Sequence, residues 1–193
     1  DFWPDSTPAR VRSNFHTTLY RVRQALGENI IVFKDDKYCV NPDLDVWCDA
    51  QEFESLVKKA RPLPYRDART EDLWFHAATL YQGDFLPQLE GDWVIDYREM
   101  LNENYLEALI ALGECAHARN DLGDAIKMYK QALKVDPFRE DVHRLLVSSY
   151  AERGERRKIH LHYRDLQELF SRELGVEPSR ETVALIKSLL KNR

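Results

Sequence analysis

The sequence predicts a mainly α-helical protein with one short β-hairpin near its front end. Apolar residues recur every three or four positions along most of the chain, as on the buried face of an amphipathic helix. Two short β-rich runs, 30–33 and 37–40, carry the strand signals. A pattern of small and large residues between 112 and 137 is typical of a tetratricopeptide helix pair, which predicts a helical repeat.

Composition limits the class of protein. With 193 residues, 44% of them hydrophobic, the chain can form one sizeable core or a small unit joined to a larger one. No apolar run approaches the roughly 20 residues of a membrane span, and the opening DFWPDSTP lacks the blocks of a signal peptide, so we expect a cytoplasmic protein. Cys39, Cys48 and Cys115 are odd in number and far apart, which favours reduced thiols and gives no zinc or other cofactor site.

The first predicted helix begins at Pro8, with Thr7 as its N-cap, and stops at Gly27. Its predicted buried stripe consists of Phe15, Leu19, Val22 and Leu26. At about 100° per residue, the opposite face carries Arg10, Ser13, Thr17, Tyr20, Arg21 and Gln24, and its flanks carry Arg12, His16 and Arg23.

This outward face is basic although the chain has a formal net charge of -5. A solvated helix face usually mixes both charge signs, whereas the stretch from Pro8 to Gln24 contains four arginines and no acid. The face therefore indicates contact with a polyanion, and an ordinary solvated helix is the alternative.

The two β-rich runs are joined by a tight polar turn at Asp35 and Asp36, which predicts a hairpin. A helix followed directly by a hairpin forms the back half of a winged helix. In that arrangement the helix enters the major groove of DNA and the hairpin lies along the neighbouring backbone, where Lys34 or Lys37 can meet a phosphate.

From Asp45 onward the sequence predicts helices only. The first begins at Asp49 and buries Phe53, Leu56 and Val57. Proline and glycine mark the breaks after it. The next two predicted helices span 70–80 and about 92–119.

The tetratricopeptide signature follows, and its residues are Leu112, Gly113, Ala116, Ala125, Tyr129, Ala132 and Pro137. Its small residues let two helices approach closely, Tyr129 fills the gap between them, and Pro137 ends the second helix. A degenerate second copy lies 34 residues further on, with Leu146, Tyr150, Ile159, Tyr163 and Leu166 at the matching positions. A last helix, with Val183, Ile186, Leu189 and Leu190 on one face, is predicted to cap the stack.

Two sets of strings resemble one known family. FWPDSTPARVRSNFHTTLYRVRQALG, with the hairpin after it, resembles the C-terminal half of the OmpR-type winged-helix DNA-binding domain of the Streptomyces antibiotic regulatory proteins. In that family a loop with Trp and Pro leads into a recognition helix ending R-hydrophobic-R-x-x-L, which matches residues 21–26. GDFLPQLEGDWVIDYREMLNENYLEAL and LGVEPSRET, in that order, resemble the bacterial transcriptional activator domain that follows the winged helix.

The resemblance implies two domains. Residues 1–44 would be an incomplete winged helix, since the family's preceding strands and two helices are missing from this sequence, and residues 45–193 the tetratricopeptide-like domain. It also implies a transcriptional regulator, with activation favoured, whose partners are double-stranded promoter DNA, RNA polymerase and a second copy of the chain. The helical repeat would make the two protein contacts.

The residues suggest a mechanism for DNA binding. Arginines on one helix neutralise phosphates and release counterions, which makes affinity depend steeply on salt. Ser13, Thr17, Tyr20, Arg21 and Gln24 are the candidates for reading base edges. The other predicted DNA-binding residues are Arg12 and Arg23 for the backbone, His16 for either role, Arg10 on the outward face, and Lys37 on the hairpin.

An interaction module is the alternative function. In it the groove of the helical repeats binds a peptide, a partner domain or a small effector, and the protein has no DNA binding of its own. An interaction module would not require a helix face that carries arginines and no acid, so this feature favours DNA binding. An enzyme is not expected, because the sequence has no phosphate loop, G-x-S-x-G elbow or H-E-x-x-H pair.

Two smaller features complete the expectations. His160 and His162 lie about 200° apart on a helix and are not expected to share a metal. Val46 and Trp47, in the short segment NPDLDVWCDA, predict a fixed junction between the two domains.

Overall fold

A computed structural model of the chain describes residue 3 and residues 5–191. Phe2 and Pro4, which belong to the Trp-and-Pro loop of the family resemblance, lie outside the described residues. The described elements are α1 (Pro8–Leu26), β1 (Ile31–Lys34), β2 (Lys37–Val40), α2 (Asp49–Ala60), α3 (Ala68–Leu80), α4 (Asp92–Ala118), α5 (Leu122–Val135), α6 (Glu140–Glu152), α7 (Arg156–Leu174) and α8 (Arg180–Lys191). The prediction of a mainly helical chain is confirmed, and no strand follows β2 within those residues.

Local signals account for most helix boundaries. Thr7 caps α1 by accepting a hydrogen bond from the Arg10 amide at 3.4 Å, and Gly27 ends it with φ of 109°. α3 begins at Ala68, two residues before the predicted start, because the carboxylate of Asp67 accepts from the Arg69 amide at 3.0 Å.

The strands β1 and β2 form an antiparallel hairpin in which Lys34 pairs with Lys37. Asp35 and Asp36 form the turn, and both have positive φ, 50° and 57°. A two-residue turn with positive φ at both positions matches the right-handed twist of the paired strands, and Asp tolerates that conformation.

The first of two hydrophobic cores joins α2, α3 and α4. Phe53 and Val57 of α2, Trp74 and Ala77 of α3, and Leu112 of α4 are all buried in it. Leu56, predicted to share the buried face of α2, is half-buried and packs at the edge of this core. The apolar stripes of the three helices are thereby covered by one another.

The second core joins α4 to α8 and contains the predicted tetratricopeptide residues. Gly113 lies against the Tyr129 ring so closely that a Cβ on Gly113 would be 2.3 Å from Cε1 of that ring. Ala125 and Ala132 are fully buried beside it, as predicted. The absence of a side chain at Gly113 is therefore what allows α4 and α5 to pack with Tyr129 between them.

The degenerate second copy uses larger residues for the same packing. Leu146, Ile159 and Leu166 are buried between α6 and α7. Ile186 of α8 is fully buried against the same core, and α8 packs on both α6 and α7. The last helix therefore covers the end of the stack, as the sequence predicted.

The loop between α3 and α4 is held by one arginine. Arg98 donates hydrogen bonds to the carbonyl oxygens of Phe85 at 2.8 Å, Leu86 at 2.7 Å and Leu89 at 3.1 Å. Leu86 has a positive φ of 42°, a conformation that non-glycine residues seldom adopt. We call residues 83–91 the Leu86 loop.

The segment 41–50 does not form the fixed, packed junction that the sequence predicted. Val46 and Trp47 are both more than half exposed, Trp47 at 68%, so they do not form a packed joint within the described residues. A short apolar segment indicates a buried contact only if a complementary surface lies next to it, and the sequence could not show that the surface is absent here.

Two further predictions concern the state of the cysteines and the absence of a membrane-spanning helix. Cys39, Cys48 and Cys115 are free thiols, as predicted, and burial raises the pKa of Cys115 to about 11. Across the described helices, none has the combination of length and apolar character that a membrane crossing requires.

Candidate nucleic-acid interface

Helix α1 presents most of the predicted DNA-binding side chains to solvent. Arg10, Arg12, Ser13, His16, Thr17, Tyr20, Arg21 and Gln24 are exposed, Tyr20 at 64%. Among the ion pairs of the described residues, none involves an arginine of α1, and the helix itself contains no acid. No ion pair within the described residues therefore neutralises the charge of this face, and we call these eight residues the α1 face.

The opposite side of α1 packs on the hairpin. Leu19 is buried, and the Phe15 ring lies 5.0 Å from the Tyr38 ring of β2. Phe33 of β1 contacts the same tyrosine ring at 4.8 Å. Three aromatic rings thus fix the hairpin beside the helix and orient the α1 face away from it.

Leu26, at the end of the predicted buried stripe, is 69% exposed, so this part of the stripe was predicted wrongly. Helical periodicity identifies which residues share a face, but it does not show how far along the helix the partner surface extends. In α1 that surface covers Phe15, Leu19 and Val22 and stops before the last residue.

Arg23 does not extend freely toward DNA. Its Nη2 donates a hydrogen bond to the Ile31 carbonyl oxygen at 2.7 Å, and the side chain is half-buried. Its Nε is buried without a hydrogen-bond partner among the described residues. Arg23 therefore joins the end of α1 to β1, and we remove it from the set of outward-facing candidates.

Thr17 has a more specific hydrogen-bonding capacity than the sequence indicated. Its hydroxyl donates to the Ser13 carbonyl oxygen at 2.9 Å, one turn earlier. While that bond is made, the hydroxyl oxygen can only accept, so it matches a donor such as a base amino group.

The tip of the hairpin carries balanced charge. Lys34 and Lys37 are exposed, as expected, but Asp35 and Asp36 lie between them and are also exposed. The formal charges of these four residues cancel, so the strong positive potential belongs to the α1 face rather than to the hairpin.

The histidines form a contact that sequence reasoning missed. Nε2 of His162 lies 2.7 Å from Nδ1 of His143, and Nε2 of His143 lies 2.9 Å from the Pro137 carbonyl oxygen. Two imidazoles without a third ligand do not make a metal site, and no cluster of three His, Cys, Asp or Glu residues occurs in the part of the chain that the structure describes. His143 had no sequence signal, because its partner lies 19 residues away in the next helix.

The helical part of the chain matches a known protein family. Residues 48–190 match the family model of the bacterial transcriptional activator domain, and the chain belongs to this family. Because this is a family of regulatory domains rather than of enzymes, the prediction that the chain is not an enzyme is confirmed.

Individual relatives extend the similarity beyond that domain. The chain is 25% identical over 201 residues to the regulatory protein AfsR of Streptomyces griseus, covering 98% of the chain and 20% of AfsR. It is 24% identical over 199 residues to the transcriptional regulatory protein MoaR1 of Mycobacterium tuberculosis, covering 98% of the chain and 64% of MoaR1.

A solved structure shows the same fold. Mycobacterium tuberculosis EmbR, determined in complex with a low-affinity phosphopeptide, superposes with a TM-score of 0.76 at 20% identity, over 98% of this chain and 52% of EmbR. The chain thus spans less than two thirds of the length of each of these relatives.

Proposed function

We propose that this chain belongs to a DNA-binding transcriptional regulator, in which α1 contacts promoter DNA and the helical repeat contacts other proteins. The α1 face carries the proposal, because its arginines are exposed and form no ion pair among the described residues, although the chain has a net charge of -5. Membership in the bacterial transcriptional activator domain family, and relatives named as regulatory proteins, support the same assignment.

We further propose the two-domain division at residues 44 and 45, with α1 as the recognition helix and the hairpin as the wing of an OmpR-type winged helix. The packing of Phe15 on Tyr38 and the bond from Arg23 to Ile31 support a helix and hairpin that form one unit. The family match begins at residue 48, after this unit ends.

In this proposal the residues of α1 have two roles. Arg10, Arg12 and Arg21 contact phosphates, and each contact releases a counterion. Arg21, a candidate for base edges in the sequence, is thus assigned to the DNA backbone in this proposal. Ser13 and Thr17 face base edges, with Thr17 as an acceptor while it donates to Ser13. Tyr20, Gln24 and His16 complete the contacting set.

The number of arginines sets the expected salt dependence. Three phosphate contacts from α1 give a slope of log affinity against log salt of about -2.7, since each contact contributes about -0.9. The hairpin adds little, because Asp35 and Asp36 offset Lys34 and Lys37.

The proposal is tested with the protein expressed from its full reading frame. A preferred duplex is selected from random DNA, and binding is measured by fluorescence anisotropy between about 50 and 200 mM salt. Arg12→Ala with Arg21→Ala should lower affinity at least about 10-fold and reduce the salt slope by about 1.8, because two phosphate contacts are lost. Arg23 is left unchanged, since its loss would also disturb the hairpin.

The matched control is Arg172→Ala with Arg180→Ala, which removes the same charge from exposed positions of the helical repeat. Equal losses in the two double variants would show that only net charge matters and would contradict the role of α1. DNA binding that neither variant changes would likewise contradict the role of α1, and no binding above that to random DNA at low salt would favour an interaction module instead.

The helical repeat is proposed to bind RNA polymerase, a second copy of the chain, or both. Addition of purified bacterial RNA polymerase to the protein–DNA complex should give a slower-moving ternary complex in a mobility-shift gel. A mobility identical to that of polymerase on DNA alone would contradict the polymerase contact.

A further inference from the structure

A groove lies between α3, α4 and α5, with a cavity volume of about 430 Å³. Leu109, Leu112 and Ala116 of α4 form its apolar floor. Phe75 of α3 lines one wall and Met128 of α5 the other. A cavity of this size with an apolar floor is suited to one or two large apolar side chains from a ligand. We call it the α3–α5 groove.

Phe75 shows that the groove is not filled by the described chain. Its side chain is 57% exposed although it is a large aromatic residue at the edge of a core. Met128 on the opposite wall is half-buried and adaptable in shape. An apolar side chain entering here would remove both from water, which is favourable in proportion to the area covered.

One end of the groove is closed by an ion-pair cluster. Arg119 contacts Glu71 at 2.7 Å, Asp124 at 3.0 Å and Asp121 at 3.5 Å. Three carboxylates share one guanidinium, so this end is negative and repels phosphates. A nucleic acid is therefore a poor occupant.

The exposed face of α5 has the opposite charge. Lys127 lines the groove, and Lys134 follows seven residues later on the same face, whereas Lys130 between them lies over the Tyr150 ring of α6 at 5.8 Å. None of the three takes part in an ion pair among the described residues. A ligand with an apolar anchor and acidic residues beside it would match both the groove and these lysines.

The Leu86 loop of the same chain has these properties. Leu86 and Leu89 are exposed, Leu86 at 41%, and Glu90 follows them, also exposed. Glu90 forms no ion pair within residue 3 and residues 5–191. The loop thus offers two apolar side chains followed by an unpaired acid.

The backbone of the loop is held in place before any contact is made. Arg98 fixes three of its carbonyl groups, and Leu86 is kept at a φ of 42°. Such a conformation persists only where surrounding contacts enforce it, and it is enriched at binding sites. A preorganised loop loses little conformational freedom on binding, which favours affinity.

We propose that the Leu86 loop of one copy of the chain inserts into the α3–α5 groove of a second copy, with Leu86 and Leu89 as anchors and Glu90 beside Lys127. The loop begins four residues after Thr79, which itself lines the groove, so loop and groove are neighbours in the chain, as reciprocal contacts in a two-fold dimer require. The inference specifies the surface for the self-association proposed above, and it does not depend on DNA binding.

The dimer is measured by sedimentation equilibrium on the protein from its full reading frame, without DNA. The wild-type protein should show a reversible, concentration-dependent dimer. Leu86→Gly removes an anchor while glycine adopts positive φ readily, so it should weaken the dimer at least about 10-fold. The unfolding temperature should stay unchanged when both proteins are measured at concentrations low enough to be monomeric. The control variant is Leu174→Ala. Leu174 is an exposed leucine at the end of α7, outside the proposed contact, so its substitution should leave the dimer unchanged.

Charge reversal tests the pairing itself. Lys127→Glu and Glu90→Lys should each weaken self-association, whereas an equimolar mixture of the two variants should restore the dimer, because each loop then meets an opposite charge in the partner groove. A mixture that stays as weak as either variant would overturn the pairing.

Two further outcomes would also overturn the inference. A protein that remains monomeric at about 10⁻³ M has no such dimer, which corresponds to a free energy of association weaker than about -4.1 kcal/mol. A dimer that persists in Leu86→Gly and Lys127→Glu uses a different surface. That result would agree with self-association of the helical repeat and would contradict insertion of the Leu86 loop into the α3–α5 groove. DNA affinity of the α1 variants is measured separately, so failure of one proposal is distinguishable from failure of the other.

Discussion

At the scale of single residues, Gly113 has the strictest requirement in the helical repeat. The Tyr129 ring occupies the space where any side chain at residue 113 would begin. The Tyr129 hydroxyl donates to a Glu114 carboxylate oxygen at 3.1 Å, and burial raises the pKa of this tyrosine. Because the ring is held at both its edge and its hydroxyl, it cannot move aside cheaply.

Gly113→Ala should therefore destabilise the protein by about 1–3 kcal/mol, the usual cost of overpacking a core. Gly123→Ala is the control, because a Cβ there meets its nearest atom, Oδ1 of Asp121, at 3.4 Å. Urea unfolding followed by circular dichroism gives both values. An unchanged midpoint in Gly113→Ala would mean that α4 and α5 can separate without loss of stability.

Residue-scale reasoning from sequence succeeded where the signal was local. Thr7, Pro8 and Gly27 gave the bounds of α1, because capping depends only on nearby backbone groups. It failed for Arg23, whose hydrogen bond to Ile31 depends on how the hairpin folds back on the helix. The exposed side chains of the α1 face could be predicted, but this use of one arginine could not.

At the scale of elements, two histidines connect α6 to α7. The Pro137 carbonyl can only accept, so Nε2 of His143 carries a hydrogen, and Nδ1 of His143 accepts from Nε2 of His162. Both rings are then neutral. Burial lowers the pKa of His143, and burial together with His143 lowers the pKa of His162 to about 4. Asp165 and Lys130 act on His162 in opposite directions.

The pair predicts a loss of stability in acid. Unfolded histidine takes up a proton near its ordinary pKa of 6.5, whereas folded His162 does so only near pH 4, so the unfolded state binds more protons between these values. The free energy of unfolding should fall by about 3 kcal/mol as pH drops from 6.5 to 4. His162→Gln should flatten this dependence.

The measurement is urea unfolding at a series of pH values. His160→Gln, on the same helix and exposed, is the control and should retain the wild-type pH dependence. If His162→Gln loses stability in acid as steeply as the wild type, the pair does not cause the loss. Carboxylates with lowered pKa, such as Asp141, contribute equally in both variants.

Element-scale prediction from sequence was accurate for the repeats and poor for what lies between them. Apolar periodicity placed α4 within one residue at its C-terminus, because a 27-residue helix contains many repeats of the same signal. The residues of the Leu86 loop contributed to the family resemblance, but its structure was predicted only as a break between helices. Its fixed shape depends on Arg98, which reaches back to it from the following helix.

At the scale of the whole molecule, α4 belongs to both hydrophobic cores. Leu101 and Cys115 pack in the core with α2 and α3, whereas Leu106 and Ala116 pack in the core with the later helices. Disrupting one core therefore removes support from a helix that the other core requires. The two cores should behave as one cooperative unit.

Native-state hydrogen exchange tests this cooperativity. Amides of Phe53 and Val57 in the first core and of Val147 and Leu166 in the second should exchange with the same free energy and the same denaturant dependence. Amides of α1, where Leu19 alone is fully buried, should exchange more readily. A lower free energy for the first core alone would show that it opens independently.

The length of α4 has a consequence for where this chain can be cut or fused. A cut or fusion point anywhere within residues 92–118 severs the one helix that two cores share, so neither fragment keeps a complete interior. A boundary for excision or grafting should therefore lie outside α4, and the segment before α2 and the end of α8 leave both cores complete. We therefore expect a fragment that ends within α4 to lack a stable fold.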